Sequence, residues 1–403
     1  MRLLPLLSIL LLALQSCSLQ ERLDTLTGKL EQDFADIPSW EALPERVISW
    51  NQAVAMMKRN NTDYLNTQSN ISKAERSELS VYTDLIPGVS YYNFFTKSLG
   101  DLTDEINSSD LSHNINVTFY LPSLTQVPYR VYASKATTFA AIKALEGKER
   151  ELISKLYVQQ RTQNLNARKK KLQSQKPETR TATLTDTRKE EVAEWMALAK
   201  LLGDYSARWR ILPDSVPQFK WQTYRPLTEK LDQLVVYRIA MDLEQARMRQ
   251  YSIALTYLPT INLNLYSPSL FSSTGGTYSG TFLDTDDTTL NMNVHYSLDT
   301  DLHTWNSYQD NKATYELRKR EATAQLIDLK QKLQLLRSSM DDYYTWRSFM
   351  HKRMEHLRTA TAANAAEFLE NAENMHSMQE ELLNQESAVV ESEAALILQY
   401  GLR

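Results

Sequence analysis

The stretch that decides the fold is Leu85-Ile86-Pro87-Gly88-Val89, where a long polar helical pattern reaches a proline and an alternating strand pattern begins. The stretch Tyr257-Leu258-Pro259-Thr260-Ile261 repeats this change later in the chain. After each proline come one strand pattern, a loop rich in Ser, Thr, Asp or Gly, a second strand pattern and another long helical pattern. This order predicts a duplicated helix-strand-strand-helix unit with Pro87 and Pro259 at the helix-strand junctions.

Four segments have the composition of β-strands, and three of them alternate cleanly, within 114–121, 260–266 and 290–296. The remaining segment, 89–95, comes first in the chain. It is rich in aromatic residues, and its two faces are less distinct. The apolar positions are predicted to face lipid: Ile115, Val117, Phe119, Ile261, Leu263, Leu265, Met292 and Val294. The polar positions are predicted to line a lumen: Asn116, Thr118, Asn262, Asn264, Asn291, Asn293 and His295.

Alternation of this kind also suits a soluble sheet with one face in water, in which the polar residues only hydrate the sheet. A four-stranded sheet, however, has two open edges, which cannot face lipid and invite aggregation when they are long and apolar. The segments are close to the 9–11 residues of a transmembrane β-strand. Since four strands cannot close around a channel, the pattern predicts a barrel shared between identical chains.

Long helices account for most of the rest of the chain, so the predicted fold class is mainly α with a small β part. Among 403 residues there are only 9 glycines and 12 prolines, and none lies between Gly280 and Gly401. Helical periodicity is predicted from Ser49 to the first junction, over 128–167, from Asp186 to a cap at Gly203, and from Pro226 to the second junction. Apolar residues then recur every 3 or 4 positions from Leu326 to Leu357, interrupted only by Arg347, and as doublets every seven residues over 368–397. This spacing predicts coiled helices, with a bend over 359–366 that makes the last two antiparallel.

The amino terminus has the pattern of an export signal, with Arg2 followed by an apolar run that is too short for a transmembrane helix. Cys17 is the only cysteine, and its position is similar to the lipidated cysteine of bacterial lipoproteins. The alternative is an ordinary cleaved signal with an incidental cysteine. The predicted divisions are a signal peptide at 1–16, a lipid-anchored tether at 17–47, a first repeat at 48–225 and a second at 226–403.

Composition and residue patterns give no support for an enzyme, a metal protein or a nucleic-acid-binding protein. The net charge of −4 provides no basic field for nucleic acid. Among six histidines, His351 and His356 are five apart, which is not the spacing of a helical metal pair. No cofactor or metal is predicted. Asp299 and Asp301 are predicted to cap the following helix, although they could instead line the lumen.

Several stretches resemble the TolC-like outer-membrane efflux proteins. The segment 48–61, the following helix and the junction at 85–90 look like the first repeat of that family, and 245–263 looks like the second. Leu198-Ala199-Lys200-Leu201-Leu202-Gly203 resembles the helix end that closes the first repeat. The order and spacing of these pieces carry the resemblance, which extends over about residues 50–402.

The resemblance implies a homotrimer whose twelve strands form one barrel in outer-membrane lipid, continued by a periplasmic tunnel of coiled helices. It also implies export of small molecules or proteins with a periplasmic adaptor and an inner-membrane transporter. Both helical tips, near 167–186 and 359–374, lack the Gly and Val-Leu signature of the family, which indicates a shortened or remodelled tunnel. The alternative from another class is a periplasmic coiled-coil lipoprotein that acts as a scaffold or adaptor without a pore.

Overall fold

The described residues form mainly long helices, together with one four-stranded and one two-stranded sheet. The computed structural model describes residues 21–83, 88–95, 111–121, 126–173, 184–255, 260–267, 289–295, 302–359 and 365–402. The elements of the first half are α1 at residues 21–35, β1 (Glu45–Ile48), α2 (Trp50–Asn60), α3 (Thr62–Thr83), β2 (Gly88–Phe95), β3 (Leu111–Leu121), α4 (Gln126–Gln173), α5 (Leu184–Leu202) and β4 (Arg208–Ile211). The second half contains α6 (Trp221–Tyr224), α7 (Gln233–Leu255), β5 (Thr260–Ser267), β6 (Thr289–His295), α8 (His303–Thr359) and α9 (Ala365–Tyr400).

The predicted duplication is confirmed, because α3-β2-β3-α4 and α7-β5-β6-α8 have the same order of elements. The four strands form one antiparallel sheet in the order β2-β3-β5-β6. Their helices pack in the matching order, α3 on α4, α4 on α7 and α7 on α8. Each strand pair therefore continues into a helix pair, and the two repeats lie side by side in both layers.

The coiled pattern of the last two helices is confirmed by the side chains that become buried. In α8 the buried members of the apolar series are Leu333, Met340, Tyr343 and Met350. In α9 the buried doublet positions are Leu382, Leu383, Val389, Val390, Leu396 and Ile397. α9 packs along both α4 and α8, so a spacing of seven residues places one apolar stripe between two helices.

One hydrophobic core joins the two repeats. It gathers buried side chains from α4, β4, α6, α8 and α9, including Leu156, Trp209, Trp221, Met340 and Leu396. Because these residues are far apart in sequence, covering their apolar surface fixes how the repeats pack against each other.

The prediction of one continuous helix from Ser49 to the first junction is wrong, since the chain turns at Asn61 between α2 and α3. The Asn61 amide nitrogen donates to the backbone carbonyls of Lys200 and Leu201 at the end of α5, at 3.3 and 3.0 Å. Its amide oxygen accepts from the backbone N–H of Tyr64 at 3.1 Å, as an N-cap does. This long-range contact stabilises an interruption of the helix that the periodicity of the sequence does not reveal. The predicted start of this helix at Ser49 is confirmed, since Ser49 caps α2 and forms a capping box with Gln52.

The predicted tether at 17–47 contains regular structure that sequence analysis missed. Residues 21–35 form α1, and β1 pairs in parallel with β4 over four residues. The Arg208 side chain also donates to the carbonyl of Leu43 at 3.0 Å and lies over the ring of Trp40. A four-residue strand with three exposed positions has no alternation that could predict it.

Two predicted helix boundaries are also wrong. α4 continues to Gln173 beyond the expected end at 167, and Arg168 in this extension lies 2.7 Å from the carboxylate of Glu386 in α9. α7 begins at Gln233 instead of Pro226, because Arg225–Glu229 forms a 3-10 turn. α8 ends at Thr359 and α9 begins at Ala365, and the residues between them, over which the bend is predicted, lie outside the described residues.

In the part of the chain that the structure describes, no helix combines the length and apolar character needed to cross a membrane.

Candidate channel wall

The four-stranded sheet brings most of the predicted strand positions together through its pairing register. Residues directly opposite each other in an antiparallel pair share one face of the sheet. The Cα partners among predicted lumen positions are Thr118 with Asn264, Asn264 with Asn291, and Asn262 with Asn293. The Cα partners among predicted lipid positions are Val117 with Leu265, Phe119 with Leu263, Leu263 with Met292, and Ile261 with Val294.

The register therefore sorts these positions into one polar and one apolar group, as the alternation in each strand does. Two pairs are mixed, because Ile115 is opposite Ser267 and Asn116 is opposite Tyr266. His295 is opposite Thr260 and so belongs with the polar group. Which group faces lipid and which faces a lumen stays a prediction.

Among the strands that the structure describes, the sheet of one chain is open at both ends, since β2 and β6 each pair on one side only. Along β6, Asn291 is exposed, Met292 is 64% exposed and Val294 is 57% exposed. The helical layer ends in the same way, with α3 at one side and α8 at the other. A single chain therefore leaves unpaired backbone groups and apolar side chains along corresponding edges of both layers.

Below the sheet, a buried charged cluster fixes α9 against α4 and α8. The Glu386 carboxylate, on a side chain 2% exposed, lies 2.7 Å from Nη1 of Arg168 and 3.7 Å from Nη2 of Arg347. The sequence pattern of α8 leaves Arg347 as its one polar core position, and this ion pair gives that position a partner. Glu386 thus connects three helices.

Two turns further along α9, Glu393 has a similar environment. Tyr157 donates a hydrogen bond to its carboxylate at 2.6 Å, and Nε of Arg161 lies 3.9 Å away. Burial raises the pKa of Glu393 against the opposing effects of Tyr157 and Arg161. Burial and the facing carboxylate also raise the pKa of Tyr157, so its hydroxyl stays protonated and remains a donor.

Neither buried glutamate was predicted, although the sequence pattern of α9 contains a signal for both. Glu386 and Glu393 are seven residues apart, and each follows an apolar doublet by three or four positions. They therefore lie on the same face of α9 as the doublets. A charged residue repeated at a core position of a coiled helix predicts a buried partner on the facing helix.

The link between the repeats is tied to the helices by further polar contacts. Nε1 of Trp221 donates to Asp341 of α8 at 2.9 Å, and Nε of Arg225 lies 2.9 Å from the same carboxylate. On the other side, Arg150 of α4 donates to Asp232 at 2.6 Å and to the carbonyl of Gln399 at 2.7 Å. These contacts hold α4, α8 and α9 in a fixed arrangement around the core.

Nothing in the described ranges assembles a reactive centre. His351 and His356 are exposed on α8, and within the described residues no group of three or more His, Cys, Asp and Glu side chains could hold a metal ion. The polar clusters consist of ion pairs and hydrogen bonds that join helices. The arrangement can form a wall, and it offers no nucleophile with a base and an orienting group.

Several predicted positions lie outside the described residues. They are Cys17, Pro87, Pro259, Asp299 and Asp301. The helix and strand on either side of each proline junction are described, and their bounds agree with the predicted change from helix to strand.

Solved outer-membrane channels are similar to this chain over most of its length. A crystal structure of CusC, which concerns its folding and transmembrane channel formation, covers 91% of this chain and 97% of its own at 14% identity, with a TM-score of 0.52. The Campylobacter jejuni CmeC outer membrane channel covers 87% of this chain and 85% of its own at 14% identity, also with a TM-score of 0.52. The chain has the fold of these outer-membrane channels. No protein-family model and no curated protein matches the sequence.

The TolC-like channel fold accounts for the two layers described above. The strands and the helices of this chain follow the same order, and the open edges of both layers occur at the same ends. The predicted fold class is therefore confirmed at the level of one chain.

Proposed function

We propose that the protein is the outer-membrane channel component of an export system, a passive conduit through which solutes pass. The observation that carries this proposal is the open sheet, whose edges β2 and β6 continue into the open helical edges α3 and α8. Unpaired strand edges cannot face lipid, because each exposed backbone group would lack a hydrogen-bond partner there. Pairing of β6 from one copy with β2 of the next removes every edge when the ring closes.

Three copies would give a barrel of twelve strands. The polar positions would line its lumen and the apolar positions would face lipid, as transmembrane barrels alternate. A lumen of asparagine, threonine and histidine carries little charge, so it suits the passage of varied solutes and is not built for tight binding. The helices would continue the wall into the periplasm.

A passive wall needs partners that supply energy and direction. We propose a periplasmic adaptor and an inner-membrane transporter, since the fold is that of CusC and CmeC and the residues that the structure describes form no catalytic arrangement. The described part of the chain contains a sheet, packed helices, and ion pairs and hydrogen bonds that join those helices. These features support a role without enzymatic chemistry. Lipidation of Cys17 would add an anchor in the outer membrane but would not be needed for insertion of the barrel.

Removal of the anchor tests this proposal directly. The variant Cys17→Ala should stay in the membrane fraction and resist extraction by high salt, because the barrel itself holds it in lipid. After solubilisation in detergent, light scattering should give the mass of three chains, and planar bilayers should show conductance.

Wild-type protein carried through the same steps is the control. A monomer released into the soluble fraction by Cys17→Ala would refute the channel and would favour a periplasmic scaffold that depends on its lipid.

A further inference from the structure

α1 has an apolar stripe that its own chain leaves uncovered. Leu23, Leu26, Leu30 and Phe34 are spaced three or four residues apart, which places them within about 80° of one another around a helix. They are 52%, 56%, 66% and 78% exposed, and every residue from 21 to 39 is exposed. Such a stripe on a helix that touches so little of its own chain indicates a surface outside that chain.

The end of α1 is held close to the core of the molecule. Trp40 lies against Arg208 of β4 and is five positions after the last residue of α1. Five extended residues span at most about 17 Å. The carboxyl end of α1 is therefore confined to that distance from β4.

β4 itself is far from the membrane-side end of the helices. Lys58 and Asp63, at the turn between α2 and α3, lie 2.6 Å from Glu149 and 3.4 Å from Lys148 of α4. Lys148 and Glu149 are separated from the start of α4, which lies beside the sheet, by about 33 Å of helix. The carbonyl of Ala207 accepts from Trp195 of α5, so β4 begins farther still from the sheet than the end of α5.

These lengths exclude a position of α1 flat in the membrane, given the proposed function, which places the sheet there. The end of α1 is able to reach only about half of the distance from β4 to the sheet. If Cys17 is lipidated, as proposed, the segment before β1 has to cover the distance from lipid to β4, so α1 would run along the helical wall. Its stripe then faces protein.

The charge and position of α1 indicate which protein surface this is. Residues 21–36 contain five carboxylates against two cationic side chains, a net charge of −3. Residues 317–335 of α8 contain five cationic side chains against two carboxylates, a net charge of +3. The same segment exposes Leu317, Ile327 and Leu335 by 55%, 55% and 71%.

The position of α1 around the helical layer indicates which copy of the chain it contacts. β1 leads into α2, which contacts α3, so α1 leaves the chain beside the α3 edge. In a ring, the α3 edge of one copy adjoins the α8 edge of the next.

We infer that α1 docks its apolar stripe on the α8 segment 317–335 of a second copy of this chain and so fastens neighbouring copies together. The inference rests on the proposed ring, and it adds a contact that neither the sheet nor the helical layer provides. It also gives the predicted tether a structural role, since α1 would connect neighbouring copies.

Photo-crosslinking in membranes of a bacterium that produces the full chain tests this inference. In Leu30→benzoylphenylalanine, light should yield a covalent dimer whose crosslinked peptide lies within 317–335. Mixing isotopically labelled and unlabelled copies should show that the two peptides come from different chains. The control, Gln32→benzoylphenylalanine, carries the probe on the opposite face of α1 and should give no dimer.

An adduct with lipid, with another protein or within the same chain would overturn the inference, as would equal dimer yields from both positions. The mass of the solubilised protein separates the two proposals. A three-chain assembly without the Leu30 crosslink refutes only the docking of α1, whereas a monomer refutes the ring itself.

A second pair of variants tests the same contact without the probe. The double variant Leu26→Asp and Leu30→Asp should lose its assembly at a temperature at which the wild type keeps it. The matched double variant Thr25→Asp and Gln32→Asp, on the polar face of α1, should keep it. Equal behaviour of the two variants would contradict docking.

Discussion

At the scale of single residues, Gly203 shows how one backbone position holds two distant helices together. It ends α5 with φ of 69°, a conformation that residues with a Cβ rarely adopt. A Cβ at this position would lie 2.4 Å from the carbonyl oxygen of Asn60 and 2.7 Å from the nitrogen of Asn61. The turn between α2 and α3 therefore packs directly on a glycine.

Gly203→Ala should lower the free energy of unfolding by about 2–4 kcal/mol, since backbone strain and overlap with Asn60 add together. Chemical denaturation in detergent, followed by circular dichroism, measures this change. Gly147→Ala is the matched control, because its Cβ would meet only Leu234 at 3.9 Å within α4. That variant should gain about 0.5–1 kcal/mol from helix propensity. Equal effects of the two variants would contradict the proposed role of Gly203.

The carboxylate of Asp341 provides a test based on pH. Partial burial opposes its ionisation, but hydrogen bonds from Trp221 and Arg225 outweigh burial and hold the pKa of Asp341 below its ordinary value of 3.8. A lowered pKa in the folded state stabilises the protein above the unfolded pKa, and this contribution is lost as pH falls through the folded value.

Asp341→Asn should therefore lower the free energy of unfolding by about 1 kcal/mol at pH 7, a modest value because the carboxylate is partly exposed. The difference from wild type should persist at pH 5 and shrink below pH 4. Unfolding curves of both proteins at pH 7, 5 and 3 measure it. A difference that grows on acidification would show that another group controls this part of the fold.

At the scale of elements, the strands make the clearest comparison between sequence and structure. The alternation within each strand and the pairing between strands assign the positions to the same two groups, with mixed pairs only where Ser267 and Tyr266 are involved. Alternation is a local property, whereas register depends on how two repeats pair. Their agreement is what a sheet with one apolar and one polar face requires.

Charged substitutions test which face is in lipid. Leu263→Arg should oppose insertion by about 2–4 kcal/mol if its position is near the bilayer midplane, and Val117→Arg should behave alike. Asn262→Arg, on the neighbouring position of the same strand, should be tolerated because its face is predicted to be wet. The amount of assembled protein in outer-membrane fractions measures insertion, and equal tolerance at 262 and 263 would refute the assigned faces.

The long helices show where local patterns are sufficient and where they are not. Heptad doublets predicted the buried stripe of α9 because burial between two helices requires that spacing. The break at Asn61 and the extension of α4 past Arg168 were not predicted, and each makes contact with a distant part of the chain. Periodicity does not contain these contacts.

At the scale of the whole molecule, one chain is an incomplete wall. Its sheet ends at β2 and β6, its helical layer ends at α3 and α8, and α1 exposes an apolar stripe. In the proposed ring, all three surfaces would become buried between neighbouring copies. The proposed docking of α1 adds a contact at the helical edge, away from the sheet.

The sequence by itself determined the duplication, the four strands with their two kinds of positions, and the coiled helices that follow them. These features are periodic, and a period of two or of seven can be recognised without knowing the partner of an element. The junctions Pro87 and Pro259 were recognisable for the same reason, because proline ends a pattern locally.

Only the tertiary structure decided the short β1–β4 pair, the turn at Asn61, and the partners of Glu386 and Glu393. Each of these depends on contacts between residues that are distant in sequence, and their free energy appears only when the repeats pack together. The exposed stripe of α1 belongs to both levels. Its spacing is present in the sequence, but the fact that its own chain leaves it uncovered required the structure.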